Sequence, residues 1–160
     1  MSLITDRNNT DLQAILYLKN KAANSGWDSL TSAEKAQWNT DLKAAYNASD
    51  LNRVGNAIND IAGLLNAYGY SVSVTAKTNW VENQLPPSIT EMNAYLSHIS
   101  ILRASYAVKA TTPVVPASMN SLNIAKANSI EQILLDISEL IENMITTFWC
   151  SAELIAGENL

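Results

Sequence analysis

The chain has 160 residues, of which 48% are hydrophobic and 16% are charged, and 15 acidic against 10 basic residues give it a formal net charge of −5. This length suits one domain with a proper hydrophobic core. The basic residues are scattered singly between Arg7 and Lys126, which argues against a nucleic-acid partner. No apolar run approaches the roughly 18 residues of a membrane span, and the first ten residues do not resemble a signal peptide. With Cys150 as the single cysteine, an intrachain disulfide is excluded.

Capping signals and apolar spacing predict two helices in the first 50 residues. The first covers about residues 10–24, with Thr10 and Gln13 in the register of a capping box and Ser25-Gly26 as its end. The second covers about residues 31–49 and opens with the pair Thr31 and Glu34. Its side chains expected to point inward are Trp38, Leu42 and Ala45.

The third predicted helix covers residues 51–68 and ends at Gly69. Its apolar residues follow steps of three and four, which is typical of a narrow seam that packs against other helices: Leu51, Val54, Ile58, Ile61, Leu65 and Tyr68. Gly55 and Gly63 lie inside it, and each costs about 1 kcal/mol relative to alanine in a helix. Each is either a point where another backbone passes close by or a glycine that the helix merely tolerates.

Two further helices are predicted after Pro87 and after Asn128. The fourth opens with Ser88 and Glu91 in capping-box register. The fifth opens with Asn128 and Glu131 and carries a wide apolar stripe up to Phe148, which predicts a central position with several helical neighbours. Its other side carries Glu131, Asp136, Glu139 and Glu142. For Asp136, Glu139 and Glu142 we expect a solvated outer face, with cation binding or general acid–base chemistry as the alternative.

Two segments break the helical pattern. In residues 70–80, Val72 and Val74 alternate with polar residues and predict a short strand near residues 71–76, whose partner would be residues 153–156 or another subunit. In residues 110–122, Pro113 and Pro116 favour an extended surface connector. The sequence therefore predicts an all-α, five-helix up-and-down bundle, a single domain over residues 1–160 with about nine N-terminal and about eight C-terminal residues as extended arms.

The residues that would support catalysis or metal binding are sparse. His98 is the single histidine, so the chain offers no histidine-rich ligand cluster, and a half-buried structural role is expected for it. The sequence contains no GxGxxG, GxxxxGKS/T, GxSxG or HExxH motif. We therefore predict no catalytic residues, no metal site, no cofactor and no enzymatic activity.

Tryptophan and tyrosine residues in predicted connectors are the candidates for contact with a partner. Exposed aromatic rings anchor protein interfaces and also stack on sugars. On this basis Trp27, Tyr68, Tyr70 and Trp80 are candidate interaction residues, with packing inside the chain as the alternative for each.

One long block, residues 47–80 (NASDLNRVGNAINDIAGLLNAYGYSVSVTAKTNW), resembles small proteins and fibre-associated domains of tail modules in phages and prophages of Gram-positive, especially clostridial, bacteria. Four further segments match these relatives in the same order: ITDR, GWDSLTSAEKAQW, PPSITEMNAYLSHISILR and ANSIEQILLDISELIENM. The last ten residues, SAELIAGENL, depart from the Ser-Gly-Glu units in which such relatives end. Within the block, Arg53 either pairs locally or reaches across a subunit interface.

The resemblance implies a non-enzymatic virion protein, made in the host cytoplasm, that forms a tail or tail-fibre attachment component. Its partners would be other tail proteins or copies of itself, in a homo-oligomer, with neither nucleic acid nor membrane involved. Two alternatives stay open. One is a carbohydrate-binding receptor module at the tail tip, which would use the connector aromatic rings. The other is a small cytosolic regulator that binds one partner protein.

Overall fold

The computed structural model describes residues 2–39, 42–82 and 87–157, except for the side chains of residues 39 and 149–157. Within these ranges the chain forms five α-helices and no strand, which confirms the predicted all-α class. The helices are α1 (Asn9–Ser25), α2 (Ser32–Asn39), α3 (Ala48–Ala67), α4 (Ile89–Ser105) and α5 (Ile124–Gly157), with a 3₁₀ turn at Trp27–Ser29.

Reciprocal capping bonds begin four of the helices. At α2 they join Thr31 and Glu34, as predicted: the Thr31 backbone N–H donates to the Glu34 carboxylate at 2.7 Å, and the Glu34 backbone N–H donates to the Thr31 hydroxyl oxygen at 3.2 Å. At α4, Ser88 and Glu91 form the predicted capping box. At α1 the box is formed by Asn8 and Asp11, two residues before the predicted pair, and at α3 it is formed by Asn47 and an aspartate three residues later. Helix α5 begins at Ile124, earlier than predicted, so Glu131 lies inside the helix and does not cap it.

Helices α3, α4 and α5 run in the same direction. Tyr70 and Tyr106, which directly follow α3 and α4, stack edge-to-face with ring centroids 5.2 Å apart. Arg53, in the first turns of α3, hydrogen-bonds Glu131, which also lies in the first turns of α5. Two non-helical return segments, residues 70–82 and 106–123, make this arrangement possible, whereas up-and-down connectivity would alternate the helix directions.

The core lies between these three parallel helices, and α5 contacts both α3 and α4, as its wide apolar stripe predicted. Most of the buried side chains are aliphatic. The fully buried ones in the three helices are Val54, Ile58, Ile61, Leu65, Ile99, Leu102, Ile130, Ile133, Leu134, Ile137 and Ile141.

Helices α1 and α2 form a separate hairpin that packs mainly on itself. Leu18 and Leu30 are buried, and Lys21 pairs with Glu34 at 2.7 Å. The predicted second helix was too long, because α2 ends at Asn39 and residues 42–47 are not helical. The prediction that residue 38 points inward is also wrong, since the Trp38 side chain is 38% exposed.

The two chain ends differ from each other. Residues 2–8 form neither helix nor strand and run into the start of α1. Residues 153–156, the predicted strand partner, are part of α5, and so is most of the predicted C-terminal arm. The strand predicted near residues 71–76 is not present either, since that segment is extended but forms no ladder.

Candidate functional site

The return segment of residues 71–80, here called the strap, is held on α3 by a row of asparagine side chains. Asn66 accepts from the Val72 backbone N–H and donates to its carbonyl, both at 2.8 Å. Asn59 binds Ala76 in the same way, at 2.8 and 3.1 Å, and Asn52 binds Trp80, both at 2.8 Å. A side-chain amide offers one donor group and one acceptor, so it substitutes for the neighbouring strand that the strap lacks.

The spacing of this row explains why the strap is not a strand. The three asparagines lie seven residues apart, or about 10.5 Å along a helix, whereas their partners lie four residues apart. The strap therefore advances about 2.6 Å per residue, less than the roughly 3.3 Å of a strand. Gly55 is needed for the close approach, because a Cβ there would collide with the Lys77 carbonyl, while Gly63 would meet nothing within 4 Å. Gly55 is therefore a point where another backbone passes close by, whereas Gly63 is a glycine that the helix merely tolerates.

A buried network of four charged groups joins the N-terminal arm to α3 and α5. Arg7 donates from Nη2 to Asp50 at 2.7 Å and to Glu131 at 2.6 Å. Arg53 donates to the same two carboxylates, with Nη2 and Nε lying 2.8 and 3.0 Å from Glu131. The Ile4 backbone N–H completes the set with a 2.7 Å bond to Glu131. Two positive and two negative groups thus neutralise one another inside the bundle.

The electrostatics of Arg53 favour its charged form. Burial lowers the pKa of Arg53, but its hydrogen bonds to Glu131 and Asp50 outweigh burial and raise the pKa above the usual value. Next to the network, Tyr46 and Tyr95 share a 2.5 Å hydrogen bond between their hydroxyl groups, and burial raises the pKa of both. The network therefore positions chain segments. Arg53 pairs locally with Asp50 on its own helix, and it also binds Glu131 on α5.

A second charged cluster fixes the connector of residues 106–123 on α5. Thr112 donates to Asp136 at 2.6 Å, and Lys109 binds both Asp136 and Glu139. Burial raises the pKa of Asp136, but these donors together with a glutamine on the same helix outweigh it and lower the pKa. The prediction of a solvated acidic face is therefore wrong for Asp136, which is buried, and Glu131 on the same side of the helix is buried too.

The five predicted interaction residues do not form one site. Trp27 is 43% exposed on the α1–α2 hairpin, where its ring packs edge-to-face on Trp38 at 5.9 Å. Arg53 belongs to the buried network. Trp80, at the end of the strap, is half-buried beneath the Lys77 ammonium, which lies 3.8 Å from the ring centroid, and its Nε1 is buried without a hydrogen-bond partner. Tyr68 and Tyr70 alone lie side by side.

Tyr68 and Tyr70 belong to an uncharged surface at the end of the bundle where α3 and α4 stop, here called the Phe148 end. Phe148 is 69% exposed, and Tyr68 is 44% exposed. Two grooves of about 460 and 510 Å³ flank Phe148. Their lining contains no charged residue; it comprises Ala67, Tyr68, Gly69, Tyr70, Tyr106, Leu140, Asn143, Met144, Ile145, Thr147 and Phe148.

Phe148 was not among the predicted interaction residues, because its place in the apolar stripe of α5 indicated a core position. The relevant signal is the length of that stripe. Helix α5 has 34 residues, whereas α3 has 20 and α4 has 17, so neither neighbour covers its whole length. An apolar stripe that outlasts its neighbours leaves its last residues exposed.

No other feature of the described side chains points to chemistry. His98 is half-buried on α4, as expected. Among these side chains, no group of three or more histidine, cysteine, aspartate or glutamate residues is placed to hold a metal ion. In the described part of the chain, none of the helices is long and apolar enough to cross a membrane. Comparison of the chain with family models, with curated proteins and with solved structures yields no match in any of the three.

Proposed function

We propose that this chain is a non-enzymatic structural protein of a phage virion, a tail or tail-fibre component that acts by docking to other proteins. The observation that carries the proposal is the Phe148 end, where an uncharged surface with exposed aromatic rings has no covering within the described chain. Exposed apolar patches of this kind mark interaction sites in soluble proteins. The sequence resemblance of residues 47–80 to phage tail modules supplies the kind of assembly.

The use of polar groups inside the chain supports the same proposal. Charged and amide side chains hold three non-helical segments on the bundle. The Glu131 network holds the arm, the asparagine row on α3 holds the strap, and the Asp136 cluster holds the connector. The surface at the Phe148 end, by contrast, is lined by uncharged side chains. The mechanism is then burial of the Phe148 end against a partner, at roughly 25 cal/mol per Å² of apolar surface removed from water.

The test is the protein content of purified particles from an induced lysogen or an infected culture. Mass spectrometry should detect the chain at a fixed ratio to known tail proteins, and Phe148→Glu should reduce its incorporation. Ile89→Glu is the matched control, because Ile89 is 73% exposed and lies at the start of α4, far from the Phe148 end. If the chain is found in the host cytosol and never in particles, the virion role is refuted.

The alternative of carbohydrate binding is favoured by one specific observation. The α1–α2 hairpin exposes Trp27 and Trp38 together, and paired tryptophan rings provide a stacking platform for sugars. A glycan array with the whole chain tests it. Binding that Trp27→Ala abolishes and Phe148→Glu leaves intact would place receptor recognition on the hairpin; no binding by the wild-type chain removes this alternative.

A further inference from the structure

A cavity of about 290 Å³, here called the Tyr46 cavity, lies at the end of the bundle where α3 and α4 begin, opposite the Phe148 end. Its walls come from the first turns of these two helices, from Tyr46 and from the turn that precedes α5. None of the described side chains that line it is charged. Its apolar lining comprises Leu51, Pro87, Ile89, Met92, Met119 and Leu122. Small-molecule sites typically combine such an apolar lining with a few polar groups.

The turn that forms one wall of the Tyr46 cavity is held in place by hydrogen bonds. The Asn120 backbone N–H donates to the Ser118 hydroxyl oxygen at 2.9 Å. The Leu122 backbone N–H donates to the Met119 carbonyl at 3.2 Å. The ammonium group of Lys126, in the first turn of α5, donates to the Asn120 carbonyl, also at 3.2 Å. Because this wall is already formed in the free chain, a ligand loses less affinity to the ordering of protein groups.

Two side-chain amides at the Tyr46 cavity have no hydrogen-bond partner within the part of the chain that the structure describes. They belong to Asn93, near the start of α4, and to Asn120, in the turn before α5. Elsewhere in the chain an asparagine amide binds a backbone residue through both its donor and its acceptor, as Asn59 does for Ala76. A free amide at a cavity therefore offers both groups to a ligand that carries an acceptor and a donor.

A buried pair of hydroxyl groups beside the cavity has one proton more than its own hydrogen bond uses. Tyr46, which lines the cavity, shares a 2.5 Å hydrogen bond with Tyr95, which is 4% exposed. Only one of the two hydroxyl protons can lie in this bond, and neither oxygen has a further partner among the described residues. A buried O–H group without an acceptor is unfavourable. A carbonyl oxygen that enters the cavity beside Tyr46 would supply the acceptor.

We propose that the Tyr46 cavity binds a small, uncharged molecule that carries an amide group next to an apolar part. The amide carbonyl accepts from the hydroxyl pair, and the free amides of Asn93 and Asn120 bind the remaining polar atoms. The apolar part lies against Met92 and Met119, whose flexible thioether side chains adapt to its shape. A charged ligand would lose hydration here without gaining an opposite charge. This binding is independent of docking at the Phe148 end.

Methionine methyl groups provide the readout, because Met92 and Met119 line the cavity whereas Met144 lies at the Phe148 end. NMR spectra of the full chain with isotope-labelled methionine methyl groups are recorded while acetanilide is added. Acetanilide joins an apolar ring to one uncharged amide. The Met92 and Met119 signals should shift in a saturable way, with a dissociation constant of about 1 mM or less, and the Met144 signal should stay in place.

Two matched molecules and two variants test the chemistry of recognition. Toluene lacks the amide, benzoate carries a carboxylate in its place, and both should bind about tenfold more weakly than acetanilide or worse. Asn93→Ala should weaken acetanilide binding by about three- to tenfold, whereas Asn56→Ala on α3 should leave it unchanged. Both variants should stay folded, because both side chains are exposed and alanine favours the helix.

The absence of a saturable shift at Met92 and Met119 overturns the proposal, and so does a shift confined to Met144. Equal binding of toluene and acetanilide overturns recognition of the amide. Binding of benzoate as tight as that of acetanilide overturns the preference for an uncharged ligand. Equal effects of Asn93→Ala and Asn56→Ala overturn the place given to the ligand. None of these results bears on the virion role, which is tested by the incorporation of Phe148→Glu into particles.

Discussion

Glu131 lies at the centre of the buried charge network, and its replacement by glutamine tests how that network works. The side chain is fully buried and accepts hydrogen bonds from the Ile4 backbone, from Arg7 and twice from Arg53, over 2.6 to 3.0 Å. Glutamine converts one acceptor oxygen into a donor that faces guanidinium N–H groups, and it leaves the network with a net charge of +1. Breaking a buried ion pair from one side costs about 3–5 kcal/mol, so we expect Glu131→Gln to lower the free energy of unfolding by that amount.

Urea unfolding followed by far-ultraviolet circular dichroism measures this loss, provided that the slope of the transition is unchanged. Glu142→Gln is the control, because Glu142 is an exposed acid on the same helix and its replacement should leave the midpoint nearly unchanged. Adding Arg7→Met to Glu131→Gln removes the excess positive charge, so the double variant should lose less than the sum of the two single losses. A loss below about 1 kcal/mol for Glu131→Gln, the level of a surface pair, would refute the reasoning.

Three further predictions concern the strap and the helix caps. Asn59→Asp replaces the amide donor with a carboxylate against a backbone carbonyl and should cost about 1–3 kcal/mol in urea unfolding, whereas Asn56→Asp on the exposed face of the same helix should cost far less. Gly55→Ala should destabilise the chain because of its collision with the strap, while Gly63→Ala should stabilise it by up to about 1 kcal/mol through helix propensity, as thermal melting will show. The pKa of Glu91 is lowered from 4.5 to about 2, first by its backbone hydrogen bond at the start of α4, so its contribution to stability should be present above pH 4.5 and disappear as the pH falls towards 2.

Each of these predictions has an outcome that contradicts it. Equal losses for Asn59→Asp and Asn56→Asp would show that the amide row does not hold the strap. Stabilisation by Gly55→Ala would mean that the strap does not approach α3 closely in solution. For the cap, Glu91→Gln should flatten the fall of stability between pH 4.5 and 2, and an unchanged pH profile would rule out the hydrogen bond from the Ser88 backbone N–H to the Glu91 carboxylate.

Local chemistry specifies two of the helix ends well enough to predict them. The cap at Ser88 and the termination at Gly69 depend on residues within a few positions of each other, and both are found as predicted. The connectivity was harder, because the pattern of an amphipathic helix does not state its direction relative to its neighbours. Two long segments without a helical pattern, between helices α3, α4 and α5, were the available signal for parallel helices, since antiparallel neighbours need only short loops.

The candidate site was less predictable than the fold, for a physical reason. Aromatic residues in connectors were expected to be exposed, but Trp80 is half-covered by Lys77, and Tyr70 packs on Tyr106. Conversely, Phe148 has the spacing of a core residue, and it is exposed only because α3 and α4 end too early to cover it. Exposure at a helix end depends on the relative lengths of neighbouring helices, which a single helical pattern does not contain.

Asparagine side chains supply backbone partners to the strap and to the N-terminal arm. Both segments run along a helix without a neighbouring strand, and their backbone N–H and carbonyl groups still need partners. The amide row on α3 supplies them to the strap, and Asn128 on α5 does the same for the arm, accepting from the Arg7 N–H at 3.1 Å and donating to its carbonyl at 2.9 Å. A charged side chain could supply only one of the two bonds, because a carboxylate only accepts and an ammonium only donates. Asparagines at every seventh position of a helix, followed by an extended segment, therefore predict a strap bound to that helix rather than a strand of a β-sheet.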